Sequence, residues 1–247
     1  GKRKSLITEI MHTYSLKNLS WDSGLRYKYS DTHNLYSYDI INDFDSKDQN
    51  LYAYTQFSGN VKNIYYMGGI GINWVSFKEG GNSFYKVLYR PLGRIKYMPL
   101  DNFSMSYQFS MQPTIPSLST LSGITKNLNR YEFETGNSAL RPYDNIKHKL
   151  SLSWNPNRWY ISLNYNIESA KNLFASGIYC QNGKLGYQHI NFDSKTVRKI
   201  NFYTSFDIIK DMLFIDGYIS YNYYKFKIED ETFSLTDYTY GGKIVFY

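Results

Sequence analysis

The side chains that most often carry out catalysis are sparse in this sequence. Its four histidines, His12, His33, His148 and His189, are far apart, and none has a serine or carboxylate at the spacing of a known hydrolase motif. A metal site at His33 or His189 would need at least two further ligands, which the pattern does not supply. The sequence therefore predicts no catalytic residue, no metal site and no cofactor, and the protein is expected not to be an enzyme.

The glycine runs, an aspartate-rich segment and the single cysteine could in principle bind a ligand, but a structural role explains each of them better. Two glycine runs could hold a phosphate only if a helix followed, and none is indicated; they are Gly68, Gly69, Gly71 and Gly80, Gly81. Four aspartates could offer oxygens to calcium, but their irregular spacing favours a solvated loop; they are Asp39, Asp43, Asp45 and Asp48. The only cysteine, Cys180, has no partner for an internal disulfide.

The composition points to a sheet that meets a membrane. Aromatic residues make up 19% of the 247 residues, 27 of them are tyrosine, and the mean hydropathy is −0.50. Tyrosine and tryptophan join an apolar ring to a polar tip, so they collect at the membrane interface of barrels. The formal charge of +7 comes from scattered basic residues rather than a stripe, which argues against nucleic acid as a partner.

The elements that would position these residues are strands, because apolar and polar residues alternate over many segments. The clearest segment is 159–167, with Trp159, Ile161 and Leu163 on one face and Ser162 and Asn164 on the other. Segment 146–154 alternates in the same way, with His148 as the one polar residue on its apolar side. A tight turn at residues 155–158 joins the two into a hairpin.

The connections alternate between short and long, which is typical of barrels with short periplasmic turns and long outer loops. We predict short turns at 17–18, 59–62, 99–102, 155–158 and 210–211. We predict long polar connections at 31–48, 77–83, 112–143, 169–195 and 226–234, with room for a further hairpin at 171–194. The eleven strands between them are 5–16, 19–30, 49–58, 63–76, 84–98, 102–111, 144–154, 159–168, 196–207, 212–225 and 235–247.

Alternation alone fits both a membrane barrel and a soluble sheet, and the strand lengths together with the connection pattern favour the barrel. No run approaches the 18 or so apolar residues of a membrane helix, and the N-terminus lacks the pattern of a signal peptide. Strands of about 10 residues can cross lipid while alternate positions stay polar. Because complete bacterial single-chain barrels have an even number of strands, eleven strands indicate part of one.

The C-terminus resembles the assembly signal of outer-membrane β-barrels. In that signal a polar or aromatic residue, a glycine, a hydrophobic residue and a terminal aromatic stand at fixed positions. Tyr240, Gly242, Val245 and Tyr247 occupy the matching positions here. The resemblance implies recognition by the barrel assembly machinery, which adds the last strand by edge pairing.

A longer resemblance is to the barrel of TonB-dependent receptors and related outer-membrane proteins of Bacteroidota. The matching stretches are QPTIPSLSTLSG with Pro113, Pro116, Leu118 and Leu121, then YEFETGNSALRP with Gly136, Asn137, Leu140 and Pro142, and, earlier, GLRY at 24–27 and LYAYTQFSG at 51–59. Ser138 replaces the usual second proline, and the family's plug and energy-coupling box are not found in this sequence.

The resemblance implies an all-β, transmembrane, antiparallel up-and-down barrel of 22 strands. Residues 1–247 would be its C-terminal portion and would contribute eleven of those strands. It implies an outer-membrane transporter that captures a scarce siderophore, haem, oligosaccharide or peptide with its outer loops. Its partners would be outer-membrane lipid, the barrel assembly machinery, the remaining strands and plug, the TonB complex through the missing N-terminal part and, optionally, a surface lipoprotein. A passive porin or smaller complete barrel, and a soluble adhesive or carbohydrate-binding β-protein, remain alternatives.

Overall fold

A computed structural model describes residues 2–38, 40–79, 82–121, 125–209, 212–228 and 230–246. It consists almost entirely of β-strands and one four-residue helix, α1 (Leu118–Leu121). The strands are β1 (Lys2–Leu16), β2 (Leu19–Tyr38), β3 (Ile40–Val61), β4 (Ile64–Glu79), β5 (Asn82–Leu100), β6 (Phe103–Thr114), β7 (Thr125–Asn127), β8 (Glu132–Thr135), β9 (Tyr143–Trp154), β10 (Trp159–Gln181), β11 (Lys184–Ile209), β12 (Leu213–Ile228) and β13 (Glu231–Phe246).

Eleven strands form one antiparallel meander in which each strand pairs with the next one along the chain. The order is β1-β2-β3-β4-β5-β6-β9-β10-β11-β12-β13, and only the short strands β7 and β8 lie off this path. Within the described residues, β1 pairs only with β2, and β13 pairs only with β12. The eleven strands predicted from the alternation are confirmed, and the additional strands are the short β7 and β8.

Four of the five predicted long connections are wrong, because their described residues are mostly strand. The described residues within 31–48, 77–83, 169–195 and 226–234 extend the hairpins β2–β3, β4–β5, β10–β11 and β12–β13. At 171–194 there is no further hairpin: β10 and β11 continue as one ladder to a turn at residues 182–183. A strand needs about 10 residues to cross a membrane. The 23 residues of β10 and the 26 residues of β11 are therefore more than twice the length that a crossing requires.

Tight turns close the hairpins where the sequence supplies residues that tolerate positive φ. Asn182 and Gly183 have φ of 51° and 73°, as a two-residue type I′ hairpin turn requires. Asn157, in the turn between β9 and β10, has φ of 54°. The short turns at residues 17–18 and 155–158 lie where the sequence predicts them. The turns predicted at 59–62 and 99–102 lie instead at residues 62–63 and 101–102, because β3 continues to Val61 and β5 to Leu100. Residues 210 and 211 lie outside the described residues.

The sheet has two chemically different faces. We call the side with Asn73, Lys149 and Asn166 the polar face, and the opposite side, with Ile72 and Leu150, the apolar face. On the apolar face the register aligns Phe109, His148 and Ile167, then Tyr107, Leu150 and Tyr165, then Met105, Leu152 and Leu163. This face is open, since Ile72 is 43% exposed, while its chain neighbour Asn73 on the polar face is 1% exposed.

Tyrosine rings cover several glycines on directly paired strands. Tyr54 pairs with Gly24, and a Cβ added to Gly24 would lie 2.4 Å from a carbon of the Tyr54 ring. Tyr218 covers Gly241 in the same way, at 2.7 Å. These pairs pin the register, because an aromatic ring fills the space that the missing side chain leaves.

Candidate functional site

The polar face is a wall of hydrogen-bonded side chains that crosses several strands. Ser104 lies 2.7 Å from Ser153, the Ser151 hydroxyl donates to Asn164 at 2.7 Å, and in the same way Ser220 donates to Asn201 at 2.8 Å. These small polar side chains satisfy one another's hydrogen-bonding groups across neighbouring strands. The polar face that they form is hydrophilic. Such a wall suits the water-filled interior of a barrel rather than a packed core.

Charge on the polar face is mostly positive along β5. This strand places Lys86, Arg90, Arg94 and Lys96 on the polar face and contains no aspartate or glutamate. The Arg90 guanidinium lies 5.2 Å from the centre of the Tyr52 ring, and Tyr52 stacks on Tyr54 with ring centres 5.7 Å apart. Asn73, in register with Tyr52, is almost completely buried in this part of the wall.

The connection between β6 and β9 packs against the wall as a folded element. Leu121 at the end of α1 and Leu140 are 4% and 2% exposed, and they form an apolar cluster with Phe77 of β4. Phe84 of β5 and Phe174 of β10 pack against this cluster. The connection therefore contacts both the β4–β5 hairpin and the β10–β11 hairpin. It is the one predicted long connection of which the structure describes a substantial irregular part.

The family-like loop motif lies in this connection and attaches it to β11. The Asn137 amide donates to the His189 carbonyl at 2.9 Å, and its oxygen accepts the Ala139 backbone N–H at 3.0 Å. The Gly136 carbonyl accepts the Gln188 side-chain amide at 3.2 Å. Leu140 is the buried residue of the apolar cluster, and Pro142 precedes β9 directly. The four motif residues thus lie together, and each contributes to the folded connection or its exit.

A second attachment joins β8 to the N-terminal end of β11. Residues Glu132–Thr135 pair in parallel with residues 185–188. The Tyr187 hydroxyl donates to a carboxylate oxygen of Glu132 at 3.1 Å. This hydrogen bond, together with the negative charge of Glu132, raises the pKa of the Tyr187 phenol above its ordinary value, because losing the proton would place two anions side by side.

Three residues of the C-terminal signal, Tyr240, Gly242 and Val245, lie on β13. Tyr240 is 81% exposed on the apolar face and lies in register with Ile219, and Gly242 on the same face lies opposite Gly217. Val245 is on the polar face, in register with Phe214. Tyr247 lies outside the described residues. A role for this set in barrel assembly stays a prediction.

The histidines are separated in the structure as they are in the sequence. His148 is on the apolar face, with its Nδ1 2.7 Å from the Tyr107 hydroxyl. His33 and His189, placed in loops by the sequence, lie instead in β2 and β11, and the His33 Nδ1 is 2.9 Å from a carboxylate oxygen of Asp45. Among the described residues, no three His, Cys, Asp or Glu side chains are grouped so as to hold a metal ion.

Across the described ranges, no helix combines the length and the apolar character that crossing a membrane requires.

Solved structures share this fold. The copper transporter OprC superimposes with a TM-score of 0.74 at 12% identity, covering 97% of this chain and 40% of its own. The FrpB iron transporter from Neisseria meningitidis gives 0.65 at 10%, covering 93% and 37%. The ferric enterobactin receptor PfeA from Pseudomonas aeruginosa gives 0.63 at 11%, covering 97% and 41%. No protein-family model matches the chain, and no curated protein matches it.

These structures are TonB-dependent receptors, and the chain has the fold of their barrel. The chain spans about two fifths of their length. In such a barrel the polar face lines the interior and the apolar face meets lipid. The neighbours are transporters and receptors rather than enzymes.

Proposed function

We propose that the chain forms part of an outer-membrane transport barrel of the TonB-dependent receptor type. The observation that carries the proposal is the two-faced meander of eleven strands, because 97% of this chain superimposes on the receptor OprC. The exposed apolar face argues against the soluble alternative, because water-soluble monomers rarely expose apolar patches beyond a few hundred Å². Lipid removes that cost, and we propose that the protein lies in the outer membrane of a bacterium.

The barrel in this proposal is completed by strands beyond these eleven. Residues 1–247 would be its C-terminal portion, with a plug and the remaining strands supplied by the rest of the receptor. Unpaired backbone groups in hydrocarbon cost several kcal/mol each, so the free edges of β1 and β13 need partners in lipid. Tyr240, Gly242, Val245 and Tyr247 would direct the last strand to the assembly machinery.

The ligand and the energy source follow the same proposal. Copper, iron and siderophores are named for the structural neighbours, and here the ligand class stays open among siderophore, haem, oligosaccharide and peptide. Transport would be driven by the TonB complex acting on the plug, and a surface lipoprotein could assist capture. Membership of the Bacteroidota group of these receptors rests on the sequence resemblance alone.

Two measurements test the proposal on the intact protein. In a membrane fractionation it should sediment with the outer membrane and migrate faster on a gel before boiling than after, as closed barrels do. Recovery in the soluble fraction with unchanged migration would contradict it. Uptake of ferric siderophore, haem, oligosaccharide and peptide probes should then require TonB for at least one probe. TonB-independent uptake of all transported probes would instead support a passive porin.

A further inference from the structure

The apolar face changes its chemistry abruptly along β10, β11 and β12. Away from the short turns, three successive rows in register are Tyr165, Ile200 and Tyr221, then Ile167, Arg198 and Tyr223, then Ser169, Thr196 and Lys225. An aliphatic and aromatic surface therefore gives way to cations and hydroxyl groups within two rows. In the proposed barrel this change marks the level at which hydrocarbon ends and lipid headgroups begin.

Arg198 and Lys225, which we call the cation pair, have charges that the protein does not neutralise. Arg198 pairs with Tyr223, two residues before Lys225, so the two cations are diagonal neighbours about 7–8 Å apart at the backbone. Both side chains are exposed, and neither forms an ion pair with any residue that the structure describes. The next cation outward on β12 differs, because the Lys227 ammonium lies 3.7 Å from a carboxylate oxygen of Asp193.

A cavity opens beside the cation pair on the same face. Its volume is about 350 Å³, and its lining includes Asp144, Ile146, Ser169, Lys171, Ser194 and Thr196. Thr196 connects the cavity to the cation pair, because it is the register partner of Lys225. Hydroxyl groups donate and accept hydrogen bonds, whereas the Asp144 carboxylate only accepts them. The lining therefore suits the hydroxyl groups of a sugar, while Asp144 repels a phosphate placed inside the cavity.

At the other end of the same three strands, aromatic and aliphatic residues take the place of the cations. There the register aligns Trp159, Phe206 and Ile215, and the Trp159 and Phe206 ring centres lie 4.5 Å apart. Arg158, in the adjoining turn, donates to the Ile208 carbonyl at 3.4 Å. The cation pair thus belongs to the end that the proposed barrel turns toward the outside of the cell.

We propose that the cation pair and the cavity bind the phosphorylated headgroup of a glycolipid in the outer leaflet of the membrane. The inference rests on the proposed function, because the apolar face meets lipid only in a membrane barrel. A phosphate monoester carries a charge of about −1.5 to −2 and three terminal oxygens, which matches two cations better than the single charge of a phosphodiester.

The residues divide the headgroup between them. The planar guanidinium of Arg198 donates to two phosphate oxygens at once, and the Lys225 ammonium adds a point charge. The sugar lies in the cavity, where its hydroxyl groups donate to Asp144 and accept from Ser169 or Thr196. The acyl chains lie along the apolar rows below Arg198, where they meet the same surface as the surrounding lipid.

Native mass spectrometry of the intact protein in detergent tests this with a diglucosamine lipid that carries two phosphate monoesters. The native protein should bind this lipid at least tenfold more tightly than the same lipid without phosphates, and more tightly than phosphatidylglycerol. The double variant Arg198→Gln, Lys225→Gln should weaken binding on the order of a hundredfold, about tenfold for each lost charge-assisted hydrogen bond. The matched control Lys17→Gln, Lys62→Gln removes two exposed lysines of the short turns and should leave the affinity unchanged.

Four results would overturn the inference. They are equal binding of the phosphorylated and dephosphorylated lipids, equal affinity in the native protein and the cation-pair variant, equal loss in that variant and the control, and tighter binding of phosphatidylglycerol. The last result would assign the cation pair to phosphodiester headgroups instead. Heat-modifiable migration and sedimentation with the outer membrane test the barrel itself. A barrel that passes both and shows no preference for the phosphorylated lipid defeats this inference alone and leaves the proposed function standing.

Discussion

Glycine in this sheet is placed where a neighbouring strand leaves little room for a side chain. Gly68 and Gly69 are adjacent in β4 and differ sharply in this respect. A Cβ on Gly69 would lie 2.8 Å from the Thr55 carbonyl oxygen, whereas a Cβ on Gly68 would meet nothing within 4 Å. Because the obstacle at Gly69 is backbone, it cannot rotate away as a side chain could.

Alanine at Gly69 should therefore destabilise the sheet. We expect Gly69→Ala to lower the free energy of unfolding by about 1–3 kcal/mol, as overpacking does. Gly68→Ala is the matched control and should stay within about 0.5 kcal/mol of the native protein. Urea unfolding in detergent, followed by tyrosine and tryptophan fluorescence, measures both. Equal losses for the two variants would contradict the close approach of β3 to Gly69.

The sequence does not reveal which glycines are crowded. It indicates only that a glycine in a strand marks a bend or close packing. The partners come from cross-strand register, such as that which places Tyr54 beside Gly24 and Tyr218 beside Gly241. Register depends on the turns, and two neighbouring glycines with the same local sequence pattern can have opposite surroundings.

At the scale of elements, the β6–β9 connection depends on one buried side chain. Leu140→Ala should release the connection from Phe77 and Leu121, since removing a buried leucine costs about 2–5 kcal/mol. Limited proteolysis should then cut residues 125–142 faster, while heat-modifiable migration persists. Leu128→Ala is the control, because Leu128 is 53% exposed in the same connection. Equal cleavage of the two variants would refute the anchoring role of Leu140.

The contact between β8 and β11 should weaken in alkali. The pKa of Tyr187 is raised in the folded state, so the contact stabilises the fold fully below the ordinary tyrosine value of about 10. That contribution is lost as the pH rises through the higher folded value. Subtilisin should cut the native protein more slowly than Tyr187→Phe at pH 9, and the two rates should converge in stronger alkali. A rate difference independent of pH would exclude the proposed hydrogen bond as its cause.

The alternation of apolar and polar residues predicts the strands only over part of their length. Strict alternation indicates the strands near the predicted short turns, where one face is apolar and the other polar. In the proposed barrel, the parts of β10 and β11 beyond the membrane would meet water on both faces. Those parts therefore lack the alternation, while their backbone ladder continues. The Asn182–Gly183 pair is a strong hairpin signal that locates the distant turn. Strands β7 and β8 are too short for any periodicity to be read.

At the scale of the whole molecule, the sequence predicts the eleven strands of the meander and the chemistry of the two faces. Both depend on local alternation, which the meander preserves because consecutive strands are neighbours. It does not reveal which residues of different strands become neighbours, as Arg94, Gln108, Lys149, Asn166 and Lys199 do across the polar face. The loop motif is visible in the sequence, but its attachment to β11 requires the fold.

In the proposed barrel, each of the eleven strands of the meander crosses the membrane, with the long hairpins outside the cell. Cys180 is exposed near the far end of β10, and Asn155 lies in the turn at the other end of that strand. At about 3.3 Å per residue, the strand is on the order of 70 Å long, while the hydrocarbon core is about 30 Å thick. The two residues should therefore lie on opposite sides of the membrane.

Labelling intact cells with a polyethylene-glycol maleimide too large for porins tests this most directly. We expect Cys180 to react on intact cells, and Cys180→Ser to abolish the signal. Asn155→Cys in the Cys180→Ser background should react only after the outer membrane is permeabilised. Labelling of both positions on intact cells, or of position 155 alone, would contradict a sheet that spans the outer membrane in this orientation.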